Sequence, residues 1–298
     1  MSDKNILHML TPLRHMSPFD VNMAVDAGFD AVIPYTGVTL DEVKGLVQDA
    51  IFSRPPKVGV RTGVFFGGKQ AIPALDMLDA ARKALVPPFG ISFFADPAGS
   101  FTTAAAMVAC VEKMLREKKN RDLRGTRVAV FGATGVVGFS AAVIAALQGA
   151  DVSLVGYDGI KRVSDAAQQI KARFDAQVGA VDGSSDAKKA DILAGAEVAL
   201  CAGRAGVQVI SRPQLQAVRD LLVVADVNAV PPPGVEGLDM MANGVELNAH
   251  GALGVGPLAI GNIKYKTEFG LFRKMIEAAK PVSFDFRDAF ALAHELNG

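Results

Sequence analysis

Glycines at fixed spacing are the residues of this chain that most clearly predict chemistry. Two residues separate each successive glycine in the run Gly132-Ala133-Thr134-Gly135-Val136-Val137-Gly138. Glycine lets a backbone turn tightly and approach a pyrophosphate, whose charge then faces the free N–H groups at the start of a helix. The commonest fingerprint of this kind has glycine where this chain has Thr134, so the motif is a variant. The run predicts a binding site for a dinucleotide.

The elements that must position this run are read from its flanks. An apolar strand at 127–131 precedes it, a helix at 136–148 follows it, and a second strand at 151–155 comes at the usual distance. Glycines also occur at helix starts by chance, and these flanking strands are what favour nucleotide binding. The alternation then continues with strands at 177–181, 197–201 and 221–226 and helices at 160–173, 185–194 and 211–219. Such alternation of apolar strands with helices predicts a Rossmann-type α/β domain with a parallel sheet covered on both faces.

Residues after the second strand are expected to choose between NAD and NADP. A carboxylate there accepts hydrogen bonds from the ribose hydroxyls of NAD, whereas a basic residue pairs with the 2′-phosphate of NADP. This chain offers both, since Tyr157 and Asp158 are followed by Lys161 and Arg162. Tyr157 could stack on adenine; an ordinary solvated loop is the alternative interpretation. The pattern predicts mixed use of NADP and NAD.

Further polar residues are expected at the same rim, because ligands of such sheets bind beyond the carboxyl ends of the strands. Asp226 and Asn228 alternate after a buried strand and precede three prolines. We expect them to contact nicotinamide or substrate; the alternative is a proline-stiffened loop without a ligand. Ala202 and Gly203 follow the neighbouring strand and are also predicted to contact the cofactor.

The first 120 residues read as a second α/β unit, with helices at 18–27, 39–50, 70–85 and 101–119 and strands at 30–34, 60–66 and 91–95. A polar segment at 119–125 marks a boundary, and an amphipathic helix near 285–297 is expected to pack back on the first unit. The sequence therefore predicts two α/β domains, residues 1–122 with 283–298 and residues 123–282, with a cleft between them.

Composition excludes several classes of function. Lys and Arg number 31, as do Asp and Glu, so no overall basic field exists to bind nucleic acid or an anionic membrane. The longest apolar run, 141–147, is too short to span a bilayer, and the first 17 residues lack a secretory apolar region. Cys110 and Cys201 are expected to be buried free thiols, and the histidines are not spaced as metal ligands. We expect a cytoplasmic protein without a metal.

A second glycine-rich segment, 251–263, leads into a helix that carries Lys264 and Lys266. We expect both lysines in the first turns of that helix, where positive charge opposes the helix dipole. An unfavourable charge in such a place favours a ligand, although solvated lysines are the alternative.

Five segments in this order resemble one known family. They are Pro18-Phe19-Asp20, 100–106, 132–138, 226–234 and 260–266. The chain resembles, over nearly its whole length, the NAD(P)-dependent methylene-tetrahydromethanopterin dehydrogenases of methylotrophic bacteria. It is more similar to the type that uses either NAD or NADP, since the strictly NADP-dependent paralogue has arginine where this chain has Tyr157.

The resemblance implies hydride transfer from the methylene bridge of a reduced pterin to C4 of nicotinamide, leaving a methenyl cation, in formaldehyde oxidation. It also implies a homo-oligomer, such as a trimer, and a pterin site near Asp20, Thr102, Thr103 and Lys264. No proton leaves the reacting carbon, so no general base is needed. Asp20 first and Asp96 second could stabilise the cation, while Lys264 would orient the pterin and Lys266 would help to bind it.

Three other functions remain open at this point. They are a methylene-tetrahydrofolate dehydrogenase that uses NADP, a shikimate-type reductase, and a non-catalytic protein that senses NADP.

Overall fold

The computed structural model describes residues 3–298, and strands alternate with helices along most of this length. The elements up to residue 119 are β1 (Ile6–Thr11), α1 (Pro18–Asp26), β2 (Ala31–Thr36), α2 (Val43–Phe52), β3 (Thr62–Phe66), α3 (Ala71–Ala84), β4 (Ser92–Ala95) and α4 (Ser100–Lys119). Those that follow are β5 (Arg127–Phe131), α5 (Val136–Leu147), β6 (Asp151–Gly156), α6 (Lys161–Phe174), β7 (Gly179–Asp182), α7 (Asp186–Gly195), β8 (Val198–Cys201), α8 (Arg212–Ala217) and β9 (Val223–Asp226). The last are β10 (Asn243–Glu246), β11 (Leu253–Val255), α9 (Pro257–Glu277), β12 (Ser283–Phe284) and α10 (Phe286–Asn297).

The chain divides into two units. The first holds residues up to Thr102 together with Tyr265–Leu292, and the second holds Thr103–Lys264 with Ala293–Gly298. All three divisions fall inside helices, namely α4, α9 and α10. The domain boundaries expected at 122–123 and 282–283 fall in loops instead, and they stay a prediction.

The first unit contains a parallel sheet. Within residues 3–298 its strand order is β12-β4-β3-β1-β2, and every neighbouring pair is parallel. Every residue of β3 and β4 is buried, which is typical of central strands covered on both faces. β12 pairs with β4, and α10 belongs to the first unit as far as Leu292, whereas its last residues belong to the second. Packing of the whole C-terminal helix on the first unit stays a prediction.

Phenylalanines form the centre of this unit. Phe272 of α9 is 0% exposed, and its ring centroid lies 5.2 Å from that of Phe94, 5.5 Å from that of Phe65 and 6.1 Å from that of Phe29. Aromatic pairs at such distances contribute beyond the area that they bury. One side chain of α9 therefore joins β3, β4 and the loop after α1.

The second unit is built on a larger sheet. Within the described residues its order is β10-β11-β9-β8-β5-β6-β7, and only β10 runs antiparallel to its neighbour. The Rossmann-type parallel sheet predicted from the alternation is confirmed. Its carboxyl edge gathers the loops after β5, β6, β8 and β9.

Two further observations concern membrane-spanning helices and the cysteines. No helix in the part of the chain that the structure describes is long and apolar enough to cross a membrane. Cys110 and Cys201 are both buried free thiols, as the sequence predicts.

The phenylalanine cluster generates a stability prediction. We expect Phe272→Ala to lower the free energy of unfolding by about 3–5 kcal/mol, since the cavity removes three ring contacts at once. Leu258→Ala is the matched control, because Leu258 lies on the same helix but is 47% exposed. The control should change stability by about 0.5 kcal/mol or less in urea unfolding. Equal losses in the two variants would contradict the central role of the cluster.

Candidate functional site

Backbone contacts shape the glycine-rich loop after β5. Gly132 has a φ of +76°, and a Cβ built there would lie 2.1 Å from the carbonyl oxygen of Ala202. A Cβ on Gly138 would lie 2.4 Å from the carbonyl oxygen of Gly132. No side chain fits at either position, so the loop after β8 and the first turn of α5 both close on the loop after β5.

The start of α5 is free of a side-chain cap. Gly135 is the N-cap residue in extended conformation, and as a glycine it has no side chain to accept a hydrogen bond from the first turn. Its own N–H donates to the carbonyl oxygen of Gly132 at 3.0 Å. First-turn N–H groups and the helix dipole favour an anion at such a place. The predicted run therefore has the geometry of a phosphate loop.

A network of side chains connects this loop with the one after β6. The Arg162 guanidinium donates from Nη1 to Tyr157 Oη and to Asp158 Oδ2, both at 3.0 Å, and from Nη2 to Thr134 Oγ1 at 3.3 Å. Its Cζ lies 5.6 Å from the centroid of the Tyr157 ring. The hydrogen bonds with Asp158 and then Tyr157 raise the pKa of Arg162. Four of the predicted residues thus lie together.

Lys161 lies outside this network. Its Nζ is 2.9 Å from Asp165 Oδ2, one turn further along α6, and both side chains are exposed. Lys161 is therefore oriented along the helix rather than toward Arg162, and its predicted contact with the cofactor stays a prediction.

The Asp226 carboxylate holds the proline-rich loop after β9 through hydrogen bonds to its backbone. The residue is fully buried, and its carboxylate accepts the N–H groups of Asn228 at 3.0 Å and Val235 at 3.1 Å. A Cβ on Gly234 would lie 2.7 Å from Asp226 Oδ1, so the loop closes tightly over the carboxylate. Burial raises the pKa of Asp226, while the backbone N–H groups oppose that shift.

Asn228 joins two loops of the same edge. Its Oδ1 accepts the N–H groups of Gly206 at 3.2 Å and Val230 at 2.9 Å, and its Nδ2 donates to the carbonyl oxygen of Pro232 at 2.9 Å. Asn228 thereby joins the loop after β8, which contains Ala202 and Gly203, to the proline-rich loop. Their predicted contact with nicotinamide or substrate stays a prediction.

The first unit has a cavity at the carboxyl ends of its strands. It has a volume of about 390 Å³. Its lining residues follow β1, β3 and β4 or begin α1, and they are Thr11, Leu13, Arg14, His15, Met16, Ser17, Asp20, Gly67, Gly68, Lys69 and Ala98. Asp20 is only 2% exposed and lies in the first turn of α1, whose N-cap is Ser17. Of the residues that the family resemblance assigns to the pterin, Asp20 is the one in this cavity.

Asp96 and Thr102 are bound to each other at the start of α4. Asp96 Oδ2 accepts the Thr102 hydroxyl at 2.5 Å, and Oδ1 accepts the Phe101 N–H at 2.7 Å. Both Asp96 and Thr102 are 0% exposed. The pair caps the helix, and its direct contact with a substrate stays a prediction.

Lys264 and Lys266 do not lie in the first turns of their helix, and the predicted unfavourable charge at the helix start is wrong. Helix α9 begins at Pro257, so these lysines are its eighth and tenth residues and lie beyond the first turn. The glycine-rich sequence up to Gly261 suggests a later start, but the helix continues through that glycine. Lys264 and Thr103 belong to the second unit and Lys266 to the first. Their predicted roles rest on the family resemblance.

Sequence reasoning missed two groups of residues. Arg14, His15 and Lys69 line the cavity beside Asp20. β1 is not predicted as a strand from its residues, and its carboxyl end is therefore not expected at the rim. The second group follows β7, where Gly183 donates its N–H to Gly156 at 2.8 Å and so lies beside the end of β6. The parallel-sheet rule applied to that strand could have found it.

Metal chemistry was not expected from the sequence. Among residues 3–298 the structure shows no group of three or more His, Cys, Asp or Glu side chains that could hold a metal ion.

Two comparisons with known proteins name the same family. A family model described as methylene-tetrahydromethanopterin dehydrogenase, N-terminal, matches residues 18–98. The chain is 55% identical over 295 residues, 99% of each chain, to the NAD(P)-dependent methylenetetrahydromethanopterin dehydrogenase of Methylorubrum extorquens. It is 33% identical over 280 residues, 94% of each chain, to a protein of the same organism described as bifunctional protein MdtA.

Solved structures share the fold at low identity. Shikimate 5-dehydrogenase from Listeria monocytogenes is 18% identical with a TM-score of 0.54, covering 91% of this chain and 92% of that one. An NAD-dependent malic enzyme from Thermotoga maritima is 13% identical with a TM-score of 0.59, covering 97% and 84%. These likenesses support the two-sheet α/β fold.

The geometry of the phosphate loop predicts that a methyl group added at Gly132 weakens cofactor binding. Gly132→Ala should weaken NADH binding about tenfold or more, because the added Cβ displaces the backbone at Ala202. Gly125→Ala is the matched control, since Gly125 has a similar φ of +70° and a Cβ added there would meet no atom within 4 Å. Both variants carry about 1–2 kcal/mol of left-handed strain. A fluorescence titration that finds equal affinities for the two would contradict the proposed loop.

Proposed function

This chain belongs to the methylene-tetrahydromethanopterin dehydrogenase family, and from that premise we propose that it transfers a hydride from methylene-tetrahydromethanopterin to NAD or NADP. The products are methenyl-tetrahydromethanopterin and the reduced nicotinamide, in the oxidation of a one-carbon unit derived from formaldehyde. One observation carries the proposal: the 55% identity extends over 99% of both chains and therefore includes both units.

The second unit is proposed to bind the nucleotide. Its phosphate loop supplies N–H groups to the pyrophosphate, and Tyr157, Asp158 and Arg162 lie where the adenosine ribose would follow. In terms of domains, residues 123–282 would bind NAD(P), and residues 1–122 with 283–298 would bind the pterin.

The cavity that contains Asp20 is proposed to hold part of the pterin. Hydride departure leaves a positive charge shared between two nitrogens, and a buried carboxylate stabilises such a charge as it develops. Arg14, His15 and Lys69 around the same cavity can donate hydrogen bonds to the carbonyl and ring nitrogens of a pterin.

Other residues are proposed to position the substrate. Lys264 orients the pterin, with Thr103 and Lys266 as further contacts, while Asp96 fixes Thr102 at the start of α4. Catalysis here requires the methylene carbon and nicotinamide C4 to approach to about 3–3.5 Å with water excluded. We also propose that the enzyme works as a homo-oligomer in the cytoplasm.

The assay that tests the proposal follows reduced nicotinamide in absorbance. Purified protein is mixed with methylene-tetrahydromethanopterin and either NAD or NADP, and both cofactors should be reduced. Methylene-tetrahydrofolate is the matched substrate control and should react more slowly. Reaction with the folate alone would replace the proposed substrate, and cofactor binding without reduction of either cofactor by any methylene pterin would indicate a sensor.

The proposed role of Asp20 predicts that its replacement lowers kcat but leaves the affinity for NADH unchanged. Asp20→Asn should lower kcat about tenfold to a thousandfold, because the amide cannot neutralise the developing cation. Its affinity for NADH should stay unchanged, since the nucleotide site lies on other elements. Asp26→Asn, at the exposed end of the same helix, is the control and should keep full activity. An Asp20→Asn enzyme with normal kcat would remove Asp20 from the chemistry.

A further inference from the structure

Arg162 connects two loops that each follow a central strand of the second sheet. Its acceptors are Thr134 in the phosphate loop and Tyr157 and Asp158 after β6. Only one of the three, Asp158, carries a negative charge at neutral pH. Removing Asp158 from the network would leave the guanidinium held by two neutral oxygens.

The ion pair between Arg162 and Asp158 is exposed to solvent. The Nη1–Oδ2 distance is 3.0 Å, and the side chains are 52% and 39% exposed. Exposed ion pairs contribute little to stability because water and salt compete with them. Asp158 can therefore leave Arg162 at small cost, whereas a buried partner could not.

A phosphate group is a stronger partner for the same guanidinium. Arginine presents a planar fork of N–H donors that matches two phosphate oxygens, and a phosphate carries more charge than one carboxylate. A ribose hydroxyl is neutral and instead donates to a carboxylate. The two cofactors therefore make opposite demands on this network.

We propose that Asp158 and the 2′-phosphate of NADP compete for Arg162, and that this exchange lets one site accept both cofactors. The inference rests on the proposed function for the identity of the cofactors. With NAD, Asp158 stays paired with Arg162 and accepts the ribose 2′-hydroxyl. With NADP, the carboxylate turns into solvent and the phosphate takes its place on the guanidinium.

Thr134 gains a specific role in this exchange. Its hydroxyl accepts Arg162 Nη2 at 3.3 Å, at the position where the commonest fingerprint has glycine. Together with Tyr157, it keeps the guanidinium at the mouth of the phosphate loop after Asp158 has left. The threonine that replaces the usual glycine of the motif is therefore explained as a hydrogen-bond acceptor for Arg162.

Direct binding of NADH and NADPH tests the exchange without any pterin. Fluorescence titrations at one fixed salt concentration are made on the full chain and on three variants. Arg162→Gln should weaken NADPH about tenfold or more and NADH about threefold or less, since only the phosphate loses a charged partner. Asp158→Asn should tighten NADPH and weaken NADH, so that the ratio of affinities shifts about tenfold toward NADPH.

Lys171→Ala is the matched control. Lys171 forms the same kind of exposed ion pair on the same helix, with Asp175 at 2.6 Å, but at the opposite end of α6. This variant should keep the wild-type ratio of affinities, and a shifted ratio would show that any charge on the helix has the same effect.

Two further results would overturn the inference. One is equal weakening of NADH and NADPH by Arg162→Gln, and the other is an unchanged ratio in Asp158→Asn. Because the titration contains no pterin, a lack of hydride transfer would contradict the proposed function alone. An unchanged ratio in an enzyme that turns over would contradict the exchange alone.

Discussion

The close backbone contact between Gly132 and Ala202 is the constraint on which the second unit depends. β5 and β8 are adjacent parallel strands, so the loops that leave their carboxyl ends must share the same space. A Cβ on Gly132 would overlap the Ala202 carbonyl, and one on Gly138 would overlap Gly132 itself. Glycine at both positions lets three backbone segments meet, and the uncapped start of α5 then lies open to a pyrophosphate.

The buried carboxylates that follow or end the strands hold loops and helix starts in place by accepting hydrogen bonds. Asp96 accepts hydrogen bonds at the start of α4, and Asp226 accepts backbone N–H groups of the proline-rich loop. An enzyme that relied on a general base would need such groups free for proton transfer. Hydride transfer from a methylene bridge removes no proton from the reacting carbon, so these carboxylates can hold loops without loss of catalytic power.

The sequence predicted the elements around the phosphate loop well, because apolar strands and a long apolar helix leave a strong pattern. It missed β1, β10, β11 and β12. β11 and β12 are very short, and β10 is an exposed edge strand whose register is irregular. The hydrogen bonds of Asp226 and Asn228 could not be predicted, since each joins residues whose contact depends on the folded loop. The start of α9 was also misjudged, because the helix begins at Pro257, a residue that suits the first helical position, and continues through Gly261 despite the low helix propensity of glycine.

Rigid and adjustable parts of the proposed nucleotide site differ in the contacts that hold them. The phosphate loop and the Asp226 carboxylate are fixed by contacts that a side-chain rotation cannot relieve. Tyr157, Asp158 and Arg162 are exposed, and their hydrogen bonds can be exchanged with water at little cost. The part proposed to bind the pyrophosphate, common to both cofactors, is therefore rigid, whereas the part proposed to face the ribose can change partners.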